Sequence, residues 1–255
     1  MPYRARMHAD QIALQLWTVR DLIAADLPGA LRAVAAAGYG AVELAVLPEM
    51  PADDLHRLLD EPGLRPVASH ESIEALRLDA DAVATKLTTI DCPTVIVPWL
   101  PEADRLTHSD VRRFAAELGV LAGRFADRGI RLGYHNHAFE FDPIDGTTVW
   151  DILLAELPPV VALELDVYWA AYGGQDPVAL MGQAPDRIHL LHMKDRSAGP
   201  EPHDLPAGEG TLDLPAIIAA GDAIGVEWFI AEQDEPRVVI DDIASAYRYL
   251  SAAAT

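Results

Sequence analysis

The sequence predicts a single (β/α)₈ TIM barrel spanning residues 1–255, and three observations predict it. Eight short apolar runs alternate with segments that have helical apolar spacing. The runs start about 25 to 40 residues apart along the whole chain, with no Gly/Ser linker or composition break to mark a second domain. The first run leads into Trp17-Thr18-Val19-Arg20 rather than a glycine-rich phosphate turn, which disfavours a doubly wound dinucleotide-binding sheet. Eight strand–helix units in 255 residues match the size of a closed barrel.

In chain order, strands are expected at Ile12–Leu16, Ala41–Leu44, Arg65–Ser69, Thr94–Val97, Arg131–His135, Val160–Leu165, Ile188–Met193 and Trp228–Ala231. They read as continuous β-branched or Leu-rich runs, the pattern of parallel strands buried on both faces. Between them, Pro28 precedes a helix over Ala30–Ala37 that stops at Gly38, and Ala52–Leu59 ends before Pro62 and Gly63. Ser109 or Asp110 is the expected cap of Val111–Asp127, which stops at Gly129. Asp213 and Pro215 open Ala216–Ile224, closed by Gly225, and Asp241–Leu250 forms an amphipathic last helix before a frayed Ser251–Thr255 tail.

Composition narrows the function. The chain is 51% hydrophobic and 23% charged with mean hydropathy +0.10, enough apolar surface for a large core. No run approaches the ~18 apolar residues of a membrane span, and Met1–Asp10, with Arg4, Arg6 and His8, lacks a signal peptide's apolar stretch. A cytoplasmic protein is expected. The single Cys92, just before Pro93, excludes an internal disulfide and reads as a small core residue. Forty acidic against 19 basic residues give a net charge of −21, which repels phosphate backbones and anionic lipid, so neither nucleic acid nor membrane is an expected partner.

In a (β/α)₈ barrel the chemistry collects at the C-terminal ends of the strands. There Glu140, Asp166, His192 and Glu232 come one from each of four consecutive units, 26, 26 and 40 residues apart. Three carboxylates and an imidazole converging on one spot repel one another unless a cation compensates them, and an O₃N donor set suits Mn²⁺, Mg²⁺, Co²⁺ or Zn²⁺. Strand alternation sends His135 and His137 to one side and Tyr134 and Asn136 to the other, so one pair faces the site. Lys194, two residues past His192, points the same way and is a candidate to hold a substrate oxygen, its alternative being a salt bridge with Asp195. Glu164 and His189 read as barrel-wall groups. Gln15, Trp17, Glu43, His70, Glu71 and Trp99 end the first four strands and are candidates for a sugar-facing wall, with Tyr168 and Trp169 beyond the sixth. Gly208-Glu209-Gly210 stands where many barrels bind phosphate, but the acidic Glu209 favours a plain turn.

Several runs make the pattern specific: Leu14-Gln15-Leu16-Trp17-Thr18-Val19-Arg20-Asp21, Tyr134-His135-Asn136-His137-Ala138-Phe139-Glu140-Phe141, Leu165-Asp166-Val167-Tyr168-Trp169, Leu191-His192-Met193-Lys194-Asp195 and Glu232-Gln233-Asp234. With these the chain resembles the xylose isomerase-like TIM-barrel superfamily, in particular its sugar phosphate isomerase/epimerase members. The resemblance implies one divalent metal held by Asp166, His192 and Glu232, with the first ligand supplied either by Glu140 or by a histidine such as His137. It implies a metal-stabilised enediolate, with Glu140, Glu232, His135, His137 and Lys194 as the acid–base and positioning groups, acting on a sugar or sugar derivative. Isomerisation or epimerisation is the leading outcome, and elimination of water or an aglycone from a keto sugar or inosose the alternative. Abasic-site nucleases share the superfamily, but the charge argues against them. A homo-oligomer, a partner subunit or a non-catalytic sugar-binding role completes the set of readings.

Overall fold

The computed structural model describes residues 7–254; Arg4, Arg6 and Thr255, which figure in the expectations for the chain ends, lie outside the described residues. Among the described residues, eight parallel strands close into one barrel. They are β1 (Ile12–Gln15), β2 (Ala41–Leu44), β3 (Arg65–His70), β4 (Thr94–Val97), β5 (Arg131–His135), β6 (Ala162–Asp166), β7 (Ile188–His192) and β8 (Trp228–Ala231). Each pairs with its sequence neighbours, and β8 returns to β1 with Ile12 opposite Phe229 and Leu14 opposite Ala231. Two short antiparallel hairpins, Pro143–Ile144 with Thr147–Thr148 and Asp195–Arg196 with Asp204–Leu205, decorate the C-terminal face.

The helices are α1 (Arg20–Ala36), α2 (Ala52–Asp60), α3 (Ile73–Thr89), α4 (His108–Ala126), α5 (Val149–Glu156), α6 (Val167–Tyr172), α7 (Pro177–Gln183), α8 (Leu214–Ile224) and α9 (Val239–Ala253). Three expectations need correction. α1 begins ten residues before Ala30, because Asp26 leaves helical geometry (φ −157°, ψ 88°) and its carboxylate accepts from Gly29 N at 3.1 Å, capping a second helical piece on a first. α4 is capped by Thr107, with Asp110 as the reciprocal member of a capping box, rather than by Ser109 or Asp110. Residues 251–253, expected to fray, continue α9. Asp213 and Gly225 bound α8 as their residue types dictate: the Asp213 carboxylate accepts from Ala216 N, and Gly225 takes φ +81°.

The barrel interior is narrow, so it is filled by small and branched side chains: Ala13, Ala41, Ala68, Ile96, Leu190 and Ile230. Gly133 completes this layer, since a Cβ there would come within 2.6 Å of Ile96 Cδ1. The larger core lies between strands and helices, and it includes Cys92, whose Sγ donates to Thr94 O. At the N-terminal end Glu227 ties three strands together, meeting Arg131 Nη1 at 2.8 Å and His189 Nδ1 at 3.2 Å.

Candidate metal centre and active site

Side chains two residues apart on a strand share a face. One such step above the apolar layer makes the interior polar: Gln15, Glu43, His70, His135, Glu164, His192 and Glu232 follow Ala13, Ala41, Ala68, Gly133, Ala162, Leu190 and Ile230. All seven are buried or nearly so. Charges removed from water must be paired or bound to a cation, and His192 sits where that compensation converges. Its Nε2 lies 2.6 Å from Glu43 Oε2 and 3.3 Å from Glu164 Oε2; its Nδ1 lies 2.6 Å from Glu232 Oε2 and 3.7 Å from Asp166 Oδ2. His70 Nε2 bridges Glu164 at 2.8 Å and Glu43 at 3.3 Å. Lys194 Nζ, one further layer up, lies 3.0 Å from Asp166 Oδ2 and 2.8 Å from both Glu232 Oε2 and Asp234 Oδ2.

Among the described residues, two sets of side chains each bring their donor atoms within 4.8 Å of one another: Asp166, His192 and Glu232, and His70, His135, Glu164 and His192. Glu43, Glu164, Asp166, Glu232 and Asp234 are five carboxylates against one lysine and the two imidazoles whose pKa they raise, His70 and His192, so the donor set still carries surplus negative charge. Glu164 Oε1 is buried without a hydrogen-bond partner, while Asp166 Oδ2 and His135 Nδ1 have ion-pair contacts, to Lys194 Nζ at 3.0 Å and to Glu164 Oε2 at 3.2 Å. An unpartnered buried carboxylate oxygen within an anionic cluster of oxygen and nitrogen donors fits a divalent cation.

The electrostatics sort the groups. Burial alone would discharge His70, but Glu43 and Glu164 beside it raise its pKa to about 10. His135 and His137 go the other way: burial, reinforced by the charge of His192 for the first and of Lys194 for the second, lowers them to about 3 and about 2, so both are neutral imidazoles. Burial lifts Asp166 to about 6 against the pull of Lys194 and His192. Burial would also protonate Glu232, but Lys194 and His192 outweigh it and hold the carboxyl well below the usual range.

Above this layer opens a cavity of about 370 Å³, lined by His70, His135, His137, Lys194, Glu232 and Asp234 on its polar side and by Trp17, Ala45, Val46, Pro98 and Trp99 on its apolar side. Of the groups read from the sequence as catalytic, His135, His137, Lys194 and Glu232 reach this cavity; as metal ligands, Asp166, His192 and Glu232 come together; as substrate contacts, Trp17, His70 and Trp99 line the wall. Trp169 lines an adjoining cleft with Trp99, His137 and Tyr172.

Glu140 is not brought to these groups. It lies in the 3₁₀ turn Phe139–Phe141, where its two oxygens accept from Tyr134 Oη at 2.5 Å and His137 N at 2.8 Å. Gln15 is also set apart from the cavity: its Nε2 donates to Glu43 Oε2 and its Oε1 accepts from Trp17 N, so it orients a carboxylate. Tyr168 turns away too, with its hydroxyl donating to Pro202 O. Lys194 takes Asp166, Glu232 and Asp234 rather than Asp195 as partners. Glu164, read as a barrel-wall group, is instead central to the His70–His135–His192 cluster, and the signal for it was its position two residues before Asp166, on the same face.

A closed parallel barrel with a polar, cation-fitting layer at the C-terminal end of its bore defines a class of (β/α)₈ protein built around its strand ends. The chain belongs to the xylose isomerase-like TIM-barrel family, whose sequence model matches residues 31–250. An inosose dehydratase of Geobacillus kaustophilus is 37% identical over 97 residues, a stretch spanning 36% of this chain and only 29% of that protein. Among solved structures, a sugar phosphate isomerase/epimerase from Parabacteroides distasonis superposes with a TM-score of 0.83 at 24% identity, covering 94% of this chain and 96% of that one. The IOLI protein, solved with a bound zinc atom, superposes with a TM-score of 0.75 at 16% identity, covering 95% and 97%. At these identities the two structures establish the fold. No described helix is long and apolar enough to cross a membrane.

Proposed function

We propose that the chain is a divalent-metal-dependent isomerase or epimerase that removes and returns the proton α to the carbonyl of a sugar or sugar derivative, residues 1–255 acting as one catalytic unit. The observation that carries this reading is the convergence of Asp166, His192 and Glu232 beneath a cavity walled by two neutral imidazoles and an ammonium group. When bound by those three residues, the cation supplies Lewis-acid polarisation of the substrate carbonyl. A base on the cavity wall, the His137 imidazole or the Glu232 carboxylate, takes the α-proton, and His135, with its ring 4.9 Å from that of His137, lies beside the imidazole. Lys194, held by three carboxylates, keeps its charge and faces the enediolate oxygen. Return of the proton to the other face of the same carbon gives the epimer; return to the neighbouring carbon gives the isomer.

A second reading, loss of water from the same intermediate, is favoured by the inosose dehydratase match, with Lys194 as proton donor to the departing hydroxyl. Incubating metal-loaded protein with keto sugars in D₂O separates the two. Deuterium at the α-carbon without loss of mass supports isomerase or epimerase action, an unsaturated product supports the dehydratase, and the absence of both products sinks both readings.

A further inference from the structure

A histidine binds a cation through one ring nitrogen, and the hydrogen bond made by the other nitrogen decides which one is free to do so. For His192 that choice can be followed outward to a group whose role cannot change. Trp17 N is a backbone donor, and Gln15 Oε1 accepts from it at 3.1 Å. The Gln15 amide is thereby oriented, so its Nε2 faces the other way and donates to Glu43 Oε2 at 2.8 Å. Gln15 and Glu43 are register partners on β1 and β2, and both are 0% exposed, so bulk water does not compete for either.

Glu43 Oε2 is therefore an acceptor, and the same atom lies 2.6 Å from His192 Nε2. An imidazole is a stronger base than a carboxylate, so the proton between them belongs to the ring. Glu164 Oε2, 3.3 Å from the same nitrogen, favours an N–H there as well. With Nε2 protonated, a neutral His192 carries its lone pair on Nδ1. That nitrogen faces Glu232 Oε2 at 2.6 Å and Asp166 Oδ2 at 3.7 Å. The polarity of the site thus runs from a backbone N–H beyond β1, through two buried side chains, to the ring on β7.

The relay also separates the two sets of donor atoms. In the set of His70, His135, Glu164 and His192, it is Nε2 of His192 that faces Glu164, the nitrogen already engaged by Glu43. His70 Nε2, 2.8 Å from Glu164 and 3.3 Å from Glu43, compensates the carboxylates of that set instead. The set of Asp166, His192 and Glu232 is the one that can use the Nδ1 lone pair.

We propose that Glu43, itself held by Gln15, is a positioning residue that fixes His192 in its Nε2–H tautomer and so turns the Nδ1 lone pair toward Asp166 and Glu232. This rests on the proposed cation site at Asp166, His192 and Glu232, in which neither Gln15 nor Glu43 is a ligand.

Zinc, being diamagnetic, is the probe. Its affinity is read by competition with a chromophoric chelator, and the position of the ring proton by long-range proton–nitrogen NMR of histidine-labelled protein. In the zinc-loaded protein the His192 ring proton is expected on Nε2. Glu43→Ala should weaken zinc about 10- to 100-fold, the ordinary cost of removing the partner of a metal-bound histidine. Glu43→Gln should recover most of that loss, because an amide oxygen accepts from the same two donors without the charge. Gln15→Met, which alters no charge, should weaken zinc by less than Glu43→Ala does. The ring-proton position in the unaltered protein and the zinc affinity of Gln15→Met decide the matter even where Glu43→Ala does not fold. A ring proton on Nδ1, full affinity in Gln15→Met, or equal losses in Glu43→Ala and Glu43→Gln overturns the inference, the last because charge alone would then be at work. Zinc kept at full content by the Asp166→Asn/His192→Ala protein removes the cation site itself, whereas zinc lost from that protein but held at full affinity by both Glu43 variants removes only the positioning role.

Discussion

At the scale of single residues, the buried charges decide behaviour. His192 touches four carboxylates, so His192→Ala leaves Glu43, Glu164, Asp166 and Glu232 facing one another without their shared cation. A loss of roughly 3–5 kcal/mol in denaturant-unfolding stability is expected, the usual penalty for breaking a buried ion network. The Asp166→Asn/His192→Ala protein should also purify without its metal, and full metal content by elemental analysis would refute the ligand assignment. Glu140 provides a pH test away from that centre. Burial raises its pKa from 4.5 to about 7 despite the Tyr134 hydrogen bond, so the folded state holds a proton that the unfolded state releases between those values. Its contribution is fully present below about pH 4.5 and is lost as pH rises through about 7, a swing of about 3 kcal/mol. Comparing urea midpoints at about pH 5 and pH 8, Glu140→Gln should flatten that dependence. Read from the sequence, Glu140 takes a place at the metal and Glu164 a place in the barrel wall, and the structure places them the other way round. Both are acids near a strand end, and only the 3₁₀ turn after β5 shows that the first bends back to Tyr134 while the second points into the bore.

Elements were legible where burial shapes composition. Parallel strands covered on both faces are continuous apolar runs, and each of the eight lies within two residues of its expected ends. Helices were less so. α3, α5, α6 and α7 were not delimited from the sequence, although Ser72, Thr148, Asp166 and Asp176 cap them, and α1 was recognised only from its second piece, because the Asp26 break and Pro28 look like a helix start. α3 repeats the device: Asp79 leaves helical geometry and its carboxylate accepts from Ala82 N at 2.9 Å. The loop after β7 was read as a plain turn from Glu209, but what organises it is Asp195. Asp195→Ala strands four backbone donors. Leaving such groups unsatisfied costs about 1–3 kcal/mol each when buried and less where water reaches them. We expect a net loss of about 2–3 kcal/mol, with hydrogen exchange accelerated at residues 208–212 and not in the barrel strands. Unchanged exchange there would mean the carboxylate does not hold the loop.

The charge of the whole molecule acts on every element at once. Forty acidic residues against 19 basic ones leave a surplus that local pairing cannot absorb. Basic side chains are already engaged at the surface, as in Arg77 with Asp104 and Glu117, Arg112 with Glu156, and Arg237 with Glu209. Salt acts on these two populations in opposite directions. It weakens exposed pairs, each worth only about 0–1 kcal/mol, and it screens repulsion among the excess carboxylates once the Debye length shrinks to about 8 Å or less. Unfolding relieves that repulsion by spreading the charges apart, so screening should favour the compact state. The repulsive pairs outnumber the attractive ones, and the N-terminal clamp of Glu227 with Arg131 and His189, a half-exposed group held at about 2, is too solvated to reverse the balance. The melting temperature at about pH 8 should therefore rise as NaCl is increased from about 10 mM to about 0.5 M. Because NaCl is a weak stabiliser of apolar burial, an equal rise in Na₂SO₄ at matched ionic strength attributes the effect to screening, while a larger rise in sulfate assigns the excess to surface exclusion. A melting temperature that falls with NaCl would show that exposed pairs dominate the electrostatics of this fold.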